Sequence, residues 1–266
     1  MAKQEVSKTN TNNEVAVLNE DIFAQDEGAG LSGITQDDVA LPFIKIWSGM
    51  DDIPDDAKKG DIYNSVTNQN YSGKEGIRVL PVLFQSKYIH WAARGTGTGA
   101  PIAMYSAGDP NIPKYERSAE DNKDYVVDGN GDYIEKTAQH YVVVLNDDGS
   151  SSTALISMKS TQLKKSKKWL STILSQTMKD KNGESFDPPS YAFVYRLKTV
   201  DEENSKGKWS GWDISLEGVV KNAEAYQKAR LFEKSIAEGE VTVKHTEEGA
   251  ESQRLLKICP IQTIYL

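Results

Sequence analysis

Apolar residues along the chain gather in short runs of strand character set between polar turns. Phe43-Ile44-Lys45-Ile46-Trp47 alternates at strand period, and Asp61-Ile62-Tyr63-Asn64-Ser65-Val66-Thr67 follows a polar loop over 51–60. The strongest strand signal lies over residues 76–91, rich in β-branched and aromatic side chains, where Pro81 predicts an edge position or a bulge. Residues 95–136 read as a long polar insertion with a small hairpin around Asp128-Gly129-Asn130-Gly131. Tyr141-Val142-Val143-Val144-Leu145 and Ser152-Thr153-Ala154-Leu155-Ile156-Ser157 flank Asn146-Asp147-Asp148-Gly149 and predict a second hairpin.

Helical spacing first appears over about 160–178. There Leu163, Leu170, Ile173, Leu174 and Met178 form a stripe, Ser160 or Thr161 can cap, and Gly183 with Pro188-Pro189 stops the run. A strand over 191–200, a Lys/Gly turn, a partner strand over 208–215 and a second helix over about 216–237 complete the pattern, before an acidic stretch and a short apolar end over 255–261. Residues 1–34 lack a sustained apolar period and are expected to form a disordered acidic arm, with one domain over 35–245 and a tail over 246–266. The class expected is mainly β with α additions (α+β), a small antiparallel barrel carrying a basic helix and a C-terminal helix.

With 266 residues, 38% hydrophobic and 26% charged, the chain holds one large domain or two small ones. No run approaches the ~18 apolar residues a membrane span requires, and the first residues lack the apolar core of a signal peptide. A single cysteine, Cys259, excludes an internal disulfide and fits a reducing cytoplasm. His90, His140 and His245 are scattered, which argues against structural zinc, and no cofactor is expected.

The net charge of −8 argues at first against a polyanionic partner, but its distribution changes that picture. Residues 1–40 carry two basic against eight acidic side chains, whereas residues 161–200 carry eight basic against three acidic. Five lysines and a tryptophan fall within residues 158–169, Met-Lys-Ser-Thr-Gln-Leu-Lys-Lys-Ser-Lys-Lys-Trp. Like charges on neighbouring helical turns repel, so the cluster makes sense against an external polyanion. An indole among ammonium groups suits a single-stranded nucleic acid, with charge for phosphates and a π-face for bases. The plainer alternative is a solvated helix face with Trp169 turned into the core.

Other candidate sites carry less. Gly95-Thr96-Gly97-Thr98-Gly99 lacks the Gly-Lys-Ser/Thr ending of a phosphate loop and runs into Ala100-Pro101, so a loop is the better reading. Asp128-Gly129-Asn130-Gly131-Asp132 has Tyr133 and Gln139 where a calcium loop needs glycine and glutamate. No serine, cysteine or histidine has its base nearby in sequence, so the chain is not expected to be an enzyme. A nuclease using Asp51, Asp52, Asp55 and Asp56 with a divalent metal ranks as a distant alternative.

Basic and aromatic residues do interleave on the expected strands: Lys87, Tyr88, Trp91 and Arg94; Tyr195, Arg196 and Lys198; Lys206, Lys208, Trp209 and Trp212; Lys45 and Trp47. With residues 41–47 and 60–67, then 76–82 running on to His90-Trp91-Ala92-Ala93-Arg94, then 157–169, this arrangement resembles the phage-encoded single-stranded-DNA-binding proteins of replication and recombination. The likeness spans roughly residues 40–215. It implies an OB-like barrel, a groove that follows the strand backbone, frequent dimerisation, and contacts with replication, recombination or RNA polymerase proteins. Many single-strand binders end in an acidic tail with a terminal aromatic. Here Gln262-Thr263-Ile264-Tyr265-Leu266 departs from that, which leaves the acidic N-terminal arm as the candidate for recruiting partners.

The expectation is therefore sequence-tolerant binding of single-stranded DNA in the host cytoplasm. Lys164, Lys165, Lys167 and Lys168 would meet phosphates, helped by Lys87, Arg94, Arg196 and Lys198. Trp91, Trp169, Tyr195, Trp209 and Trp212 are the stacking candidates, of which one or two at least should prove to be core. The alternative is a phage structural or assembly protein whose basic helix docks an acidic protein partner.

Overall fold

Three short strands, β1 (Ile44–Ile46), β2 (Ile62–Asn64) and β3 (Asn70–Tyr71), pair antiparallel into a small sheet. The main sheet is built on β4 (Ile77–Trp91) and β8 (Tyr133–Leu145), antiparallel along nearly their whole length. Between them in sequence lie β5 (Ala103–Ser106), β6 (Tyr115–Arg117) and β7 (Asp124–Val126), and β9 (Ser151–Lys159) returns along β8. A 3-10 turn, Ser160–Gln162, leads into helix α1 (Leu163–Leu174), followed by the small hairpin β10 (Met178–Lys179) and β11 (Ser185–Phe186). The long hairpin β12 (Phe193–Asn204) and β13 (Gly207–Val219) precedes helix α2 (Ala223–Ala237). The computed structural model describes residues 25–34, 38–49, 57–205, 207–239, 241 and 243.

The α+β class is as the sequence pattern predicts. The strand pairings run β13-β12-β4-β8-β7-β6, with β5 on β4 and β9 on β8. Among the described residues they trace an open sheet with edges at β13 and β6, and no pairing closes it into the expected OB-like barrel. The chain divides into two units, Met1–Val39 and Ala40–Leu266. Within the first, residues 25–34 form successive turns, with Ala29 donating to the Asp26 carbonyl and Leu31 to that of Gly28. The tail over 246–266 lies outside the described residues. Among the described residues no helix is long and apolar enough to cross a membrane.

Strand β8 is buried on both faces, because side chains alternate across the pleat. Ala138, Val142 and Val144 join Val79, Ile156, Met158 and Leu197 in one core, which takes in Trp169 of α1 and Ile44 and Ile62 of the small sheet. Tyr141 and Val143 face the other way, with Leu80, Val82 and Leu155, onto Ala225, Ala229, Phe232 and Ile236 of α2. The two helices thus cover opposite faces of one sheet. Pro81 sits at a bulge between Pro81 and Leu83, where the other edge of β4 passes from β12 to β5 and has no strand to feed.

Helix α2 begins at Ala223, later than the expected 216, because β13 continues to Val219 in register with Phe193. Asn222 then caps the helix, its side-chain oxygen accepting from the Ala225 N–H at 3.0 Å. Helix α1 turns most of its expected stripe inward, with Leu163, Ile173 and the following Met178 partly buried against the same core as Trp169. Leu174 is 83% exposed, whereas Ser166 and Trp169 are the buried residues. The indole of Trp169 stacks on His140 of β8 (centroids 4.5 Å apart), and Ser166 Oγ lies 2.8 Å from His140 Nε2. Neither Ser160 nor Thr161 caps this helix, whose N-cap is Gln162.

The small sheet is held to β12 through two glycines. Thr199 donates its hydroxyl to the Gly60 carbonyl (2.6 Å) and its N–H to the Gly73 carbonyl (2.9 Å). A Cβ on Gly73 would press against both the Gly60 carbonyl oxygen and Thr199 Oγ1. Gly73→Ala should therefore destabilise the fold by ~1–3 kcal/mol, the usual cost of overpacking, read as a lowered midpoint in urea unfolding. Burial pushes the His140 imidazole down to about 3, so it stays neutral in the folded protein. The unfolded chain takes up that proton below pH ~6.5, so stability is fully present above that pH and falls as the pH drops toward 3, by up to ~1.4 kcal/mol per pH unit. Between pH 7 and 5, wild type should lose stability more steeply than His140→Gln; parallel curves would remove His140 as the cause.

Candidate nucleic-acid interface

Strand β9 ends at Lys159 and the 3-10 turn swings the chain so that α1 lies against β13, β8 and β9. With Ser166 and Trp169 committed to the sheet, helical geometry turns Lys164, Lys167 and Lys168 outward, and all three are exposed. None of the three forms an ion pair among the described residues. Lys165 differs. It is only partly exposed, and its Nζ lies 2.8 Å from Glu202 Oε1 on β12.

Glu202 ties helix to hairpin. Its other oxygen accepts from Trp209 Nε1 at 2.9 Å across the β12–β13 ladder. Beside it, Gln162 Oε1 accepts from the Trp212 backbone N–H at 3.1 Å. This crossing needs Gly211, since a Cβ there would meet the Glu202 carboxylate and Gln162 Nε2. The hydrogen bond from Lys165 holds the Glu202 carboxyl below its ordinary range, against the opposing effect of burial and with Trp209 adding to it. The neighbouring Glu203 is likewise paired, with Lys208 at 3.1 Å.

Helix and hairpin enclose a pocket of about 560 Å³. Thr161, Lys164, Lys165, Lys168, Trp169 and Thr172 line its helix side, and Tyr195, Glu202, Glu203, Trp209, Asp213 and Ile214 its hairpin side. Trp169 and Tyr195 are each 1% exposed and meet edge to face, centroids 5.9 Å apart. Both carry a buried polar atom, Trp169 Nε1 and the Tyr195 hydroxyl, with no hydrogen-bond partner. Burial pushes the Tyr195 phenol up to about 12, so the hydroxyl keeps its proton.

The residues singled out by sequence are thus only partly brought together. Lys164, Lys165, Lys168, Trp169, Tyr195 and Trp209 meet at the pocket, and Lys167 stands exposed on the same helix. Four of the five stacking candidates, Trp91, Trp169, Tyr195 and Trp212, are buried, so they offer no open ring face on the surface. Large aromatics on two-sided strands and on a sheet-facing helix stripe go to the core first. Trp209 alone is half-buried. Trp91 packs with Ile89 and Tyr133 in a separate cluster at the far end of β4, twelve residues or roughly 40 Å of strand beyond Val79.

Near that end Lys87 Nζ donates to Ser106 Oγ at 3.2 Å, and Arg94 is exposed in the following turn. Arg196 pairs with Glu217 and donates to the Glu75 carbonyl, and Lys198 shares its face of β12, opposite Leu197. Neither lines the pocket. Lys208 is committed to Glu203, and Lys45 lies over the Phe43 ring at 5.8 Å. Lys206 and Asp51, Asp52, Asp55 and Asp56 lie outside the described residues.

Sequence reasoning missed Glu202, Gln162 and Gly211, the groups that close helix onto hairpin. Glu202 could have been found by counting back from the hairpin turn: Asn204 opposite Gly207 places Glu202 opposite Trp209. At Asp128-Gly129-Asn130-Gly131-Asp132 the structure forms a turn, in which Asp132 Oδ1 accepts from the Ala93 N–H at 3.0 Å. Among the described residues no group of three or more His, Cys, Asp or Glu side chains is placed to hold a metal ion.

No curated protein and no solved structure matches the chain. Residues 10–242 do match the Pam3 phage gp34-like protein family. That stretch runs from before β1 to beyond α2 and so includes the whole sheet, the lysine helix and the pocket. By that match, the chain belongs to the Pam3 phage gp34-like protein family and is a phage protein.

Proposed function

We propose that this phage protein binds single-stranded DNA with little regard to sequence, in replication or recombination in the host cytoplasm. The observation that carries the reading is the outward row of Lys164, Lys167 and Lys168, unpaired in an acidic chain and set beside a pocket walled by aromatic side chains. Three unpaired ammonium groups on one short helix repel one another. Against a phosphate backbone each releases a counterion on binding. The acidic remainder of the surface, net −8 over the chain, works against non-specific adsorption of other polyanions. No chemistry is required of the site, and the protein acts as a binder, with replication, recombination or transcription proteins and a second copy of itself as its candidate partners.

Burial of Trp91, Trp169, Tyr195 and Trp212 alters how this binding works. Open-face stacking on several platforms gives way to phosphate contacts from the helix, with Trp209 the one stacking candidate that is not fully buried. Lys165 also drops out as a phosphate ligand, because Glu202 already holds it.

A fluorescent oligo-dT titrated at low and moderate salt, with equal-length duplex as competitor, should show salt-sensitive binding that duplex fails to displace. No binding at low salt would instead favour a phage structural or assembly protein whose basic helix docks an acidic protein. The lysine assignment is tested separately. Replacing Lys164, Lys167 and Lys168 by Gln should reduce the slope of log K against log salt by roughly 2, at about 0.7 per single-strand phosphate contact. Lys165→Gln alone should leave that slope nearly unchanged while lowering thermal stability, since it strands Glu202.

A further inference from the structure

The geometry points to the pocket between α1 and the β12–β13 hairpin as a receptor for one unstacked nucleobase of the bound strand, whose entry uncovers Trp169 Nε1 and the Tyr195 hydroxyl, both closed to solvent beneath its floor, as hydrogen-bonding partners. This deepens the single-strand reading and rests on it.

Two buried polar atoms without partners are the starting point. A buried N–H or O–H left unpaired costs ~1–3 kcal/mol, so native interiors rarely keep one without reason. Here two occur on residues that touch each other and line one cavity, Trp169 and Tyr195. The indole N–H donates only, whereas the phenol both donates and accepts. Every nucleobase offers ring-nitrogen or carbonyl acceptors along its edge that suit such a pair. At about 560 Å³ the pocket is ample for one base and part of its sugar.

Charge sets the orientation. Free cations line the helix side, at Lys164 and Lys168. The hairpin side carries Glu202, Glu203 and Asp213. A nucleotide entering with its phosphate on the helix side and its base toward the hairpin meets attraction at one end and avoids repulsion at the other. The paired states of Glu202 and Glu203 leave Asp213 as the pocket carboxylate without an ion pair among the described residues. Trp209, held by its bond to Glu202, supplies an aromatic wall.

The test compares an oligo-dT with an equal-length oligonucleotide of abasic residues, in wild type, Tyr195→Phe and Trp169→Phe. Both substitutions keep an aromatic ring in the core and remove a donor. Wild type should prefer the base-bearing strand, and each variant should shrink that preference by ~2–12-fold, the span of one neutral hydrogen bond, at an unchanged salt slope. Full preference retained in folded Tyr195→Phe would overturn the pocket assignment, as would equal binding of both strands by wild type. Should Trp169→Phe fail to fold, Tyr195→Phe alone decides. If wild type binds neither strand at low salt, the single-strand reading itself falls, and the two failures remain distinct.

Discussion

The seating of Trp169 on His140 sets which way the lysine helix faces, and the candidate interface depends on it. Burying an indole of this size is worth several kcal/mol, and truncating one costs ~3–5 kcal/mol, so the helix has one strongly preferred rotation about its axis. Ser166, one turn earlier, hydrogen-bonds the same imidazole and removes what freedom is left. Once these two side chains face the sheet, the 3.6-residue repeat sends Lys164, Lys167 and Lys168 outward, whatever their mutual repulsion. The imidazole works in this role because it is neutral: a charged ring stacked under an indole and cut off from water would lack a counterion, and none is near it among the described residues.

That contact extends into a row of rings. Phe84 on β4 lies 5.1 Å from His140, His140 stacks on Trp169, and Trp169 meets Tyr195 edge to face. Phe84 is exposed and Tyr195 is buried beneath the pocket, so the row runs from one surface into the core. Aromatic residues that resemble stacking platforms in the sequence serve instead to pin a charged helix. Only at its pocket end does the row keep unspent hydrogen-bonding capacity.

How much of this was legible follows from how local each signal was. Strand β4 and the β8–β9 hairpin were readable because periodicity and turn chemistry lie within a few residues of each other. The lysine cluster was equally plain. Its orientation was less plain, because Leu174 extends the inward stripe of Leu163 and Ile173 to a position that is exposed, and only a partner on β8 singles out Trp169 as the most buried residue. Arg196 and Tyr195 are adjacent in sequence and seemed to form one basic-aromatic set, yet strand alternation places them on opposite faces. Barrel closure was beyond reach for a different reason: it depends on which edges meet, a long-range fact that strand counting leaves open.

Glu202 shows why an acidic group belongs at the centre of a basic site. A carboxylate between Lys165 and Trp209 fixes the gap between helix and hairpin, and so the width of the pocket, without touching the outward lysines. It does this by consuming one of the four helix lysines, so on the proposed reading the protein trades a phosphate contact for a shaped cavity. A surface that bound strands by charge alone would gain nothing from that exchange, since another free lysine serves it better. The exchange makes sense when the cavity itself has an occupant, and the carboxylates on its hairpin side then determine which end of that occupant goes in first.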